Sequence, residues 1–259
     1  MAVPVSRHRE GAALAVFVLV HPAWFGGWCW KKLVPLLEEQ GHSVRTPTLT
    51  GLGERSHLAH PGIVMRTHID DVASVLTYDD LRDVILAGTS SSGAVISGVA
   101  DRVPERISQL VYIDAFVPDD GQAVFDLISP QRRPAMEALV ASEGFGWLLP
   151  RYAAPAWEQV VRQAWQVADE ADLRWMLPRL RPTPFGHFTC PVRLANPAAG
   201  RLPRTYIRCR GFPHPGFDRY ARTASQDPCW RLFHLDSGHL PYITSPHELA
   251  PMLLELAAR

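Results

Sequence analysis

The stretch Val84-Ile85-Leu86-Ala87-Gly88-Thr89-Ser90-Ser91-Ser92-Gly93-Ala94 constrains the fold more than any other part of this chain. An apolar run breaks into a turn of small residues with Ser90 at its centre, and small, helix-compatible residues resume from Ala94 to Val99. Buried strand, sharp turn and closely packed helix, in that order, lift a serine hydroxyl out of the backbone at the edge of a parallel sheet. Small residues flank the serine because the turn is strained and the helix passes close to the strand. The spacing departs from the usual G-x-S-x-G in one place: Ser92 stands where the second glycine belongs, and Gly93 follows it. An ordinary serine-rich turn is the plainer alternative, so the rest of the chain has to decide.

Further apolar runs bounded by turns read as buried parallel strands: Val16 to Val20, Val44 to Pro47, Val84 to Ala87, Leu110 to Phe116, Thr205 to Cys209 and Trp230 to Leu235. Helical spacing lies between several of them. It runs over Trp30 to Gln40 with a stop at Gly41, over Met65 to Leu76, and over Pro246 to Ala258. Pro35 blurs the start of the first of these helices. From Pro118 to Pro203 the pattern changes: prolines cluster and helices follow one another without strands, one of them opening at Pro155. The fold class expected is α/β, a mostly parallel doubly wound sheet with a helical lid inserted after the strand that ends at Asp114. Residues 1–117 and 204–259 would form the core and 118–203 the lid. Trp147, Trp157, Trp165, Trp175 and Phe185 could line an apolar pocket beneath it or merely hold the lid in place.

Composition narrows the function. With 26 Lys+Arg against 26 Asp+Glu the chain lacks the basic excess that neutralises phosphates, so no nucleic-acid partner is expected. Cys29, Cys190, Cys209 and Cys229 form no metal-binding spacing and read as free thiols; no metal and no cofactor are expected. Arg7, His8 and Arg9 before an apolar run imitate a signal peptide, but that run is strand-like, and no segment has the roughly 18 apolar residues of a membrane span. A cytoplasmic protein with no membrane partner is the expectation.

Serine needs a base to become a nucleophile. Of the 11 histidines, His239 is the candidate. It lies in Leu235-Asp236-Ser237-Gly238-His239-Leu240, between the last strand and the last helix, where the loop sits at the carboxyl edge of the sheet. His42, His57, His60, His187 and His214 read as surface histidines. The base needs an acid to fix its tautomer. Asp114 ends an apolar strand next to the serine strand and needs a partner to justify burial. Asp218 follows the strand Tyr206 to Cys209, although beside Arg219 it looks like half of a surface pair. A dyad with no acid is the third possibility. Oxyanion donors would be the backbone N–H groups of Ser91 and Ala23; Pro22 has none. Trp24, Phe25, Thr89, Trp147 and Trp165 are the candidate pocket residues.

Assembled, these segments resemble the α/β-hydrolase-fold enzymes, closest to the branch of plant methylesterases, hydroxynitrile lyases and bacterial pyrethroid-type carboxylesterases. Val18-Leu19-Val20-His21 with Gly26-Gly27-Trp28 is similar to that branch's H-G-x-x-H-G-x-W oxyanion loop, and Thr46 to Arg55 to a segment of its bacterial esterases. Gly88 to Gly93 resembles the G-H-S-x-G-G elbow, Leu110 to Pro118 the strand after it, and Ser237-Gly238-His239 the histidine loop. Pro22, Phe25, Thr89 and Ser92 depart from the branch's pattern. The resemblance implies a serine hydrolase acting on an ester or thioester of a hydrophobic small molecule, free or carrier-bound. An acyltransferase through the same acyl-enzyme, a lyase or cyclase of secondary metabolism using Ser90 and His239 as proton carriers, and a non-catalytic binding module remain alternatives. The oligomeric state, homodimer included, is left open.

Overall fold

A computed structural model describes residues 14–150 and 156–258. Arg7 to Arg9 and Pro155, used above, lie outside them.

Six strands form one sheet: β1 (Val16–Val20), β2 (Ser43–Arg45), β3 (Val84–Ser90), β4 (Ile107–Ala115), β7 (Arg204–Cys209) and β8 (Trp230–Leu235), in the order β2-β1-β3-β4-β7-β8. Every pairing is parallel. Alternation along each strand sends side chains to opposite faces. Val18, Val20, Leu86, Leu110, Tyr112 and Tyr206 pack on one face, under the helices Met65–Tyr78, Ser92–Arg102 and Pro215–Gln226. Phe17, Leu19, Ile85, Ala87, Val111, Ile113 and Ile207 pack on the other, under the helices Val34–Glu38 and Pro246–Ala257. The expected doubly wound α/β sheet is therefore present. Pro35 falls in the first turn of its helix, where a missing N–H costs nothing.

Strand order reverses about β1, with β2 on one side and β3 on the other. The loop after β1 and the turn after β3 consequently face one crevice at the carboxyl edge. The chain between β4 and β7 holds short helices, as the sequence suggests. It also holds a feature the sequence reading leaves out, a two-residue antiparallel ribbon of β5 (Leu148–Leu149) and β6 (Thr183–Pro184). Two residues per strand give no periodicity to detect.

No described helix is long and apolar enough to cross a membrane. The four cysteines are free. No group of three or more His, Cys, Asp or Glu among the described residues could hold a metal.

Candidate active site

Ser90 closes β3 with φ +52, in the left-handed region that β-carbon sterics disfavour. The surroundings hold it there. A Cβ on Gly93 would come within 2.0 Å of the Phe116 carbonyl oxygen, so only glycine lets the elbow helix lie against the end of β4. Ser92 replaces the usual glycine and uses its hydroxyl as a clasp. It accepts the Thr89 N–H at 2.8 Å and lies 2.8 Å from the carbonyls of Val20 and Thr89, tying the turn to β1.

Asp114 also has positive φ, +42. Thr89 pairs with Ile113 but Ser90 with Ala115, so Asp114 is the extra residue of a β-bulge. The bulge turns its fully buried carboxylate toward β7. Oδ1 accepts from the Cys209 backbone N–H at 2.9 Å and from Arg208 Nη1 at 2.8 Å; Oδ2 accepts from His239 Nδ1 at 3.3 Å. With Nδ1–H committed to the carboxylate, Nε2 of a neutral His239 carries a lone pair. The imidazole stacks on Phe212 at 4.3 Å and on Phe217 at 5.7 Å. Its backbone N–H donates to the Trp165 carbonyl at 3.1 Å. A Cβ at Gly238 would strike that same carbonyl at 2.3 Å, which accounts for glycine before the histidine.

Asp218 takes another place than the expected surface pair with Arg219. It accepts from Arg208 Nε at 2.8 Å, so Arg208 bridges the two aspartates and only Asp114 meets the imidazole. Arg208 further donates to the carbonyls of Cys209 and Phe212 at 2.5 and 2.6 Å. Removing one member of a buried ion pair strands the other charge. Arg208→Met is expected to lower unfolding stability by about 3–5 kcal/mol in urea titrations; a loss below 1 kcal/mol would show that the guanidinium does not anchor Asp114.

Ser90 and His239 line one cavity of about 120 Å³ together with Ser91, Trp24, Trp165 and Trp157. Phe116, Phe188, Phe212 and Phe217 complete an aromatic wall, to which Ser129, Arg132 and His214 add polar groups. Trp24 centres the aromatic cluster, 5.3 Å from Trp157, 5.8 Å from Phe188 and 6.3 Å from Trp165. Three expected pocket residues lie outside this wall. Phe25 is buried behind it, stacked on Trp28 at 5.4 Å. Thr89 is buried inside the elbow. Trp147 joins the turn after the helix Arg133–Glu143 to Phe185, whose N–H its carbonyl accepts at 2.7 Å. Trp175 and Phe185 likewise pack on Trp28 and Phe125.

Two histidines read as surface residues are not. His214 lines the cavity, 4.1 Å from the Phe217 ring. Burial, with His239 and Arg132 nearby, pushes its pKa down to about 4. His187 is fully buried and bonds Ser91 Oγ through Nε2 at 2.9 Å. Its Nδ1 meets His68 Nδ1 at 2.8 Å, and His68 Nε2 lies 2.9 Å from the Thr50 carbonyl. The expected oxyanion amide of Ala23 donates to Ser91 Oγ at 3.0 Å, and the Trp24 N–H to Thr183 Oγ1 at 2.8 Å. His21 is a staple: one ring nitrogen bonds the Pro22 carbonyl, the other accepts the Leu49 N–H.

Comparison with known proteins places this geometry in context. The model of the alpha/beta hydrolase family matches residues 17–252. A carbendazim hydrolyzing esterase of Nocardioides sp. is 35% identical over 94% of this chain and 100% of its own length. Methylesterase 9 of Arabidopsis thaliana is 26% identical over 93% of this chain and 97% of its own. Among solved structures, an extracellular alpha/beta-hydrolase from a Paenibacillus species superposes with a TM-score of 0.81 at 24% identity, covering 95% of this chain and 99% of its own. A pyrethroid hydrolase from Sphingobium faniae JZ-2 reaches 0.73 at 25% identity, with 95% and 98% coverage. This chain thus belongs to the alpha/beta hydrolase family and is a hydrolase enzyme.

Proposed function

We propose that this hydrolase cleaves esters of hydrophobic small molecules through an acyl-enzyme on Ser90. The carrying observation is the bulge at Asp114, whose buried carboxylate engages one nitrogen of His239, and His239 lines the same cavity as Ser90. Ser90 Oγ attacks the carbonyl carbon as its proton passes to His239 Nε2. The oxyanion collects between the backbone N–H groups of Ser91 and Ala23. His239 then gives that proton to the departing oxygen as the ester bond breaks. Water adds to the acyl-enzyme, loses a proton to the same nitrogen, and the acid leaves as Ser90 regains its proton. Asp114 keeps the imidazole in the required tautomer and stabilises its cationic form. No step calls for a metal or cofactor.

The aromatic wall supports a hydrophobic, ring-bearing substrate. Relatives named esterase and methylesterase support an ester bond as the scissile one. Acyl transfer to an alcohol or amine is the second reading, favoured by the same water-poor wall.

A fluorophosphonate probe tests the mechanism. We expect a single stoichiometric adduct, mapped by mass spectrometry to the peptide carrying Ser90, together with loss of p-nitrophenyl butyrate hydrolysis. Folded protein that stays unmodified, or is modified elsewhere, overturns the reading. Product analysis with a competing alcohol present then divides hydrolysis from transfer.

A further inference from the structure

The second face of the elbow carries a buried polar chain of which the mechanism above uses only the Ala23 amide. It runs from the Ala23 N–H to Ser91 Oγ, His187, His68 and the Thr50 carbonyl, with links of 3.0, 2.9, 2.8 and 2.9 Å. Ala23, Ser91, His187 and His68 are all buried. Burial holds both imidazoles below the ordinary histidine range, so both are neutral near pH 7.

Neutral rings allow one arrangement of protons. The Thr50 carbonyl only accepts, so His68 Nε2 donates and its Nδ1 is a lone pair. His187 Nδ1 must then donate to it, which leaves His187 Nε2 as an acceptor. Ser91 therefore spends its one proton on His187, and its oxygen presents a lone pair to the Ala23 amide. The chain ends on a carbonyl, so it delivers no proton anywhere. What it does is hold a hydroxyl oxygen against one of the two amides that would receive the oxyanion.

We propose that Ser91 Oγ is a built-in occupant of the oxyanion hole, aimed by His187 and His68, which the reacting carbonyl oxygen must displace from the Ala23 amide. This rests on the Ser90 reading above. Ser91 acts twice and in opposite senses: its backbone N–H serves the oxyanion, while its side chain competes with it. His187 is a positioning residue, and it comes from the insertion between β4 and β7, on the short helix Gly186–Thr189. The same insertion supplies Thr183, which occupies the next amide, that of Trp24. The insertion thereby sets how open the hole is. Displacing one neutral hydrogen bond slows the reaction by about threefold to tenfold, and the penalty is least for carbonyl oxygens that accept strongly.

The expected result runs against ordinary intuition about buried polar groups. Ser91→Ala frees the Ala23 amide, so phosphonylation of Ser90 by a p-nitrophenyl methylphosphonate, whose P=O oxygen enters the hole, should accelerate by about threefold to tenfold. The kcat for p-nitrophenyl butyrate should rise with it while KM stays level. The variant should melt at lower temperature, because His187 loses its donor. His187→Phe releases the Ser91 proton to turn toward the oxyanion and should also accelerate both reactions, and its gain should vanish in the Ser91→Ala background. Ser91→Cys, which keeps the volume but offers a poor acceptor, repeats the test should alanine not fold. A purely structural role predicts rates unchanged or lower. A parent that labels at Ser90 while folded Ser91 variants react no faster overturns the latch alone. A parent that takes no label at Ser90 overturns the hydrolase reading and the latch with it.

Discussion

Asn in place of Asp114 is expected to lower kcat by about 10⁴-fold while the protein still folds. The asparagine oxygen can keep the Oδ1 position, accepting from the Cys209 N–H and from Arg208. The NH2 group then faces His239 Nδ1, where a carboxylate oxygen stood. Two donors cannot meet, so the imidazole moves its proton to Nε2 and can no longer accept the one from Ser90. Arg208 retains Asp218, which limits the loss of stability. Asp218→Asn is the paired control. Its carboxylate is half exposed and meets only the far side of Arg208, so turnover should stay within about fivefold of the parent. Steady-state kinetics on one ester decide the matter. Equal losses in both variants, or a larger loss at position 218, would remove Asp114 from the mechanism.

That contrast shows where the sequence is legible and where it is not. Ser90 can be found because a backbone demand, an apolar strand broken by small residues, is written locally. An aspartate in an apolar strand end announces a buried partner, which is how Asp114 comes into view. The same logic applied to Arg208, between apolar Ile207 and Cys209, would have pointed to that partner, because the arginine answers the aspartate from the neighbouring strand. His68 left a trace as well: it falls between Met65 and Val72 on the apolar stripe of its helix, where a solvated histidine has no place. His187 left none. It sits in the proline-rich insertion on a four-residue helix, and its burial depends on Ser91, 96 positions away. The bulge at Asp114 is likewise invisible, because one extra residue in a strand changes no hydrophobic pattern. Pocket residues divide the same way. Trp24 and Trp165 converge on the site from distant loops, whereas Trp147 is equally aromatic and serves only the fold of the insertion.

The buried histidines make a second large effect predictable: this protein should lose stability steeply on the acid side of neutrality. His21 is held down to about 3 by burial, and His68 and His187 are lowered by the same cause. Few charges face them. His21 sees His68; His68 sees Asp71, Arg55 and His187; His187 sees His68 and His21. In the unfolded chain each ring titrates near 6.5. Folded-state values below the unfolded one mean that the unfolded chain binds more protons as pH falls, so stability rises with pH in this window. It is complete above about pH 6.5 and drains away as pH drops toward the folded values. Each ring contributes a slope approaching about 1.4 kcal/mol per pH unit. His21, with its folded value near 3, alone removes about 1.7 kcal/mol between pH 6.5 and 5, and His68 and His187 act in the same direction. His214, lowered to about 4 but partly exposed, adds to the same trend. Urea titrations at pH 7.5, 6.5, 5.5 and 5 measure the slope directly. His68→Gln, which keeps a donor for the Thr50 carbonyl, should flatten it. Stability that holds level down to pH 5 would mean that these rings accept protons inside the fold. The proton arrangement that sets Ser91 against Ala23 could not then survive in mild acid.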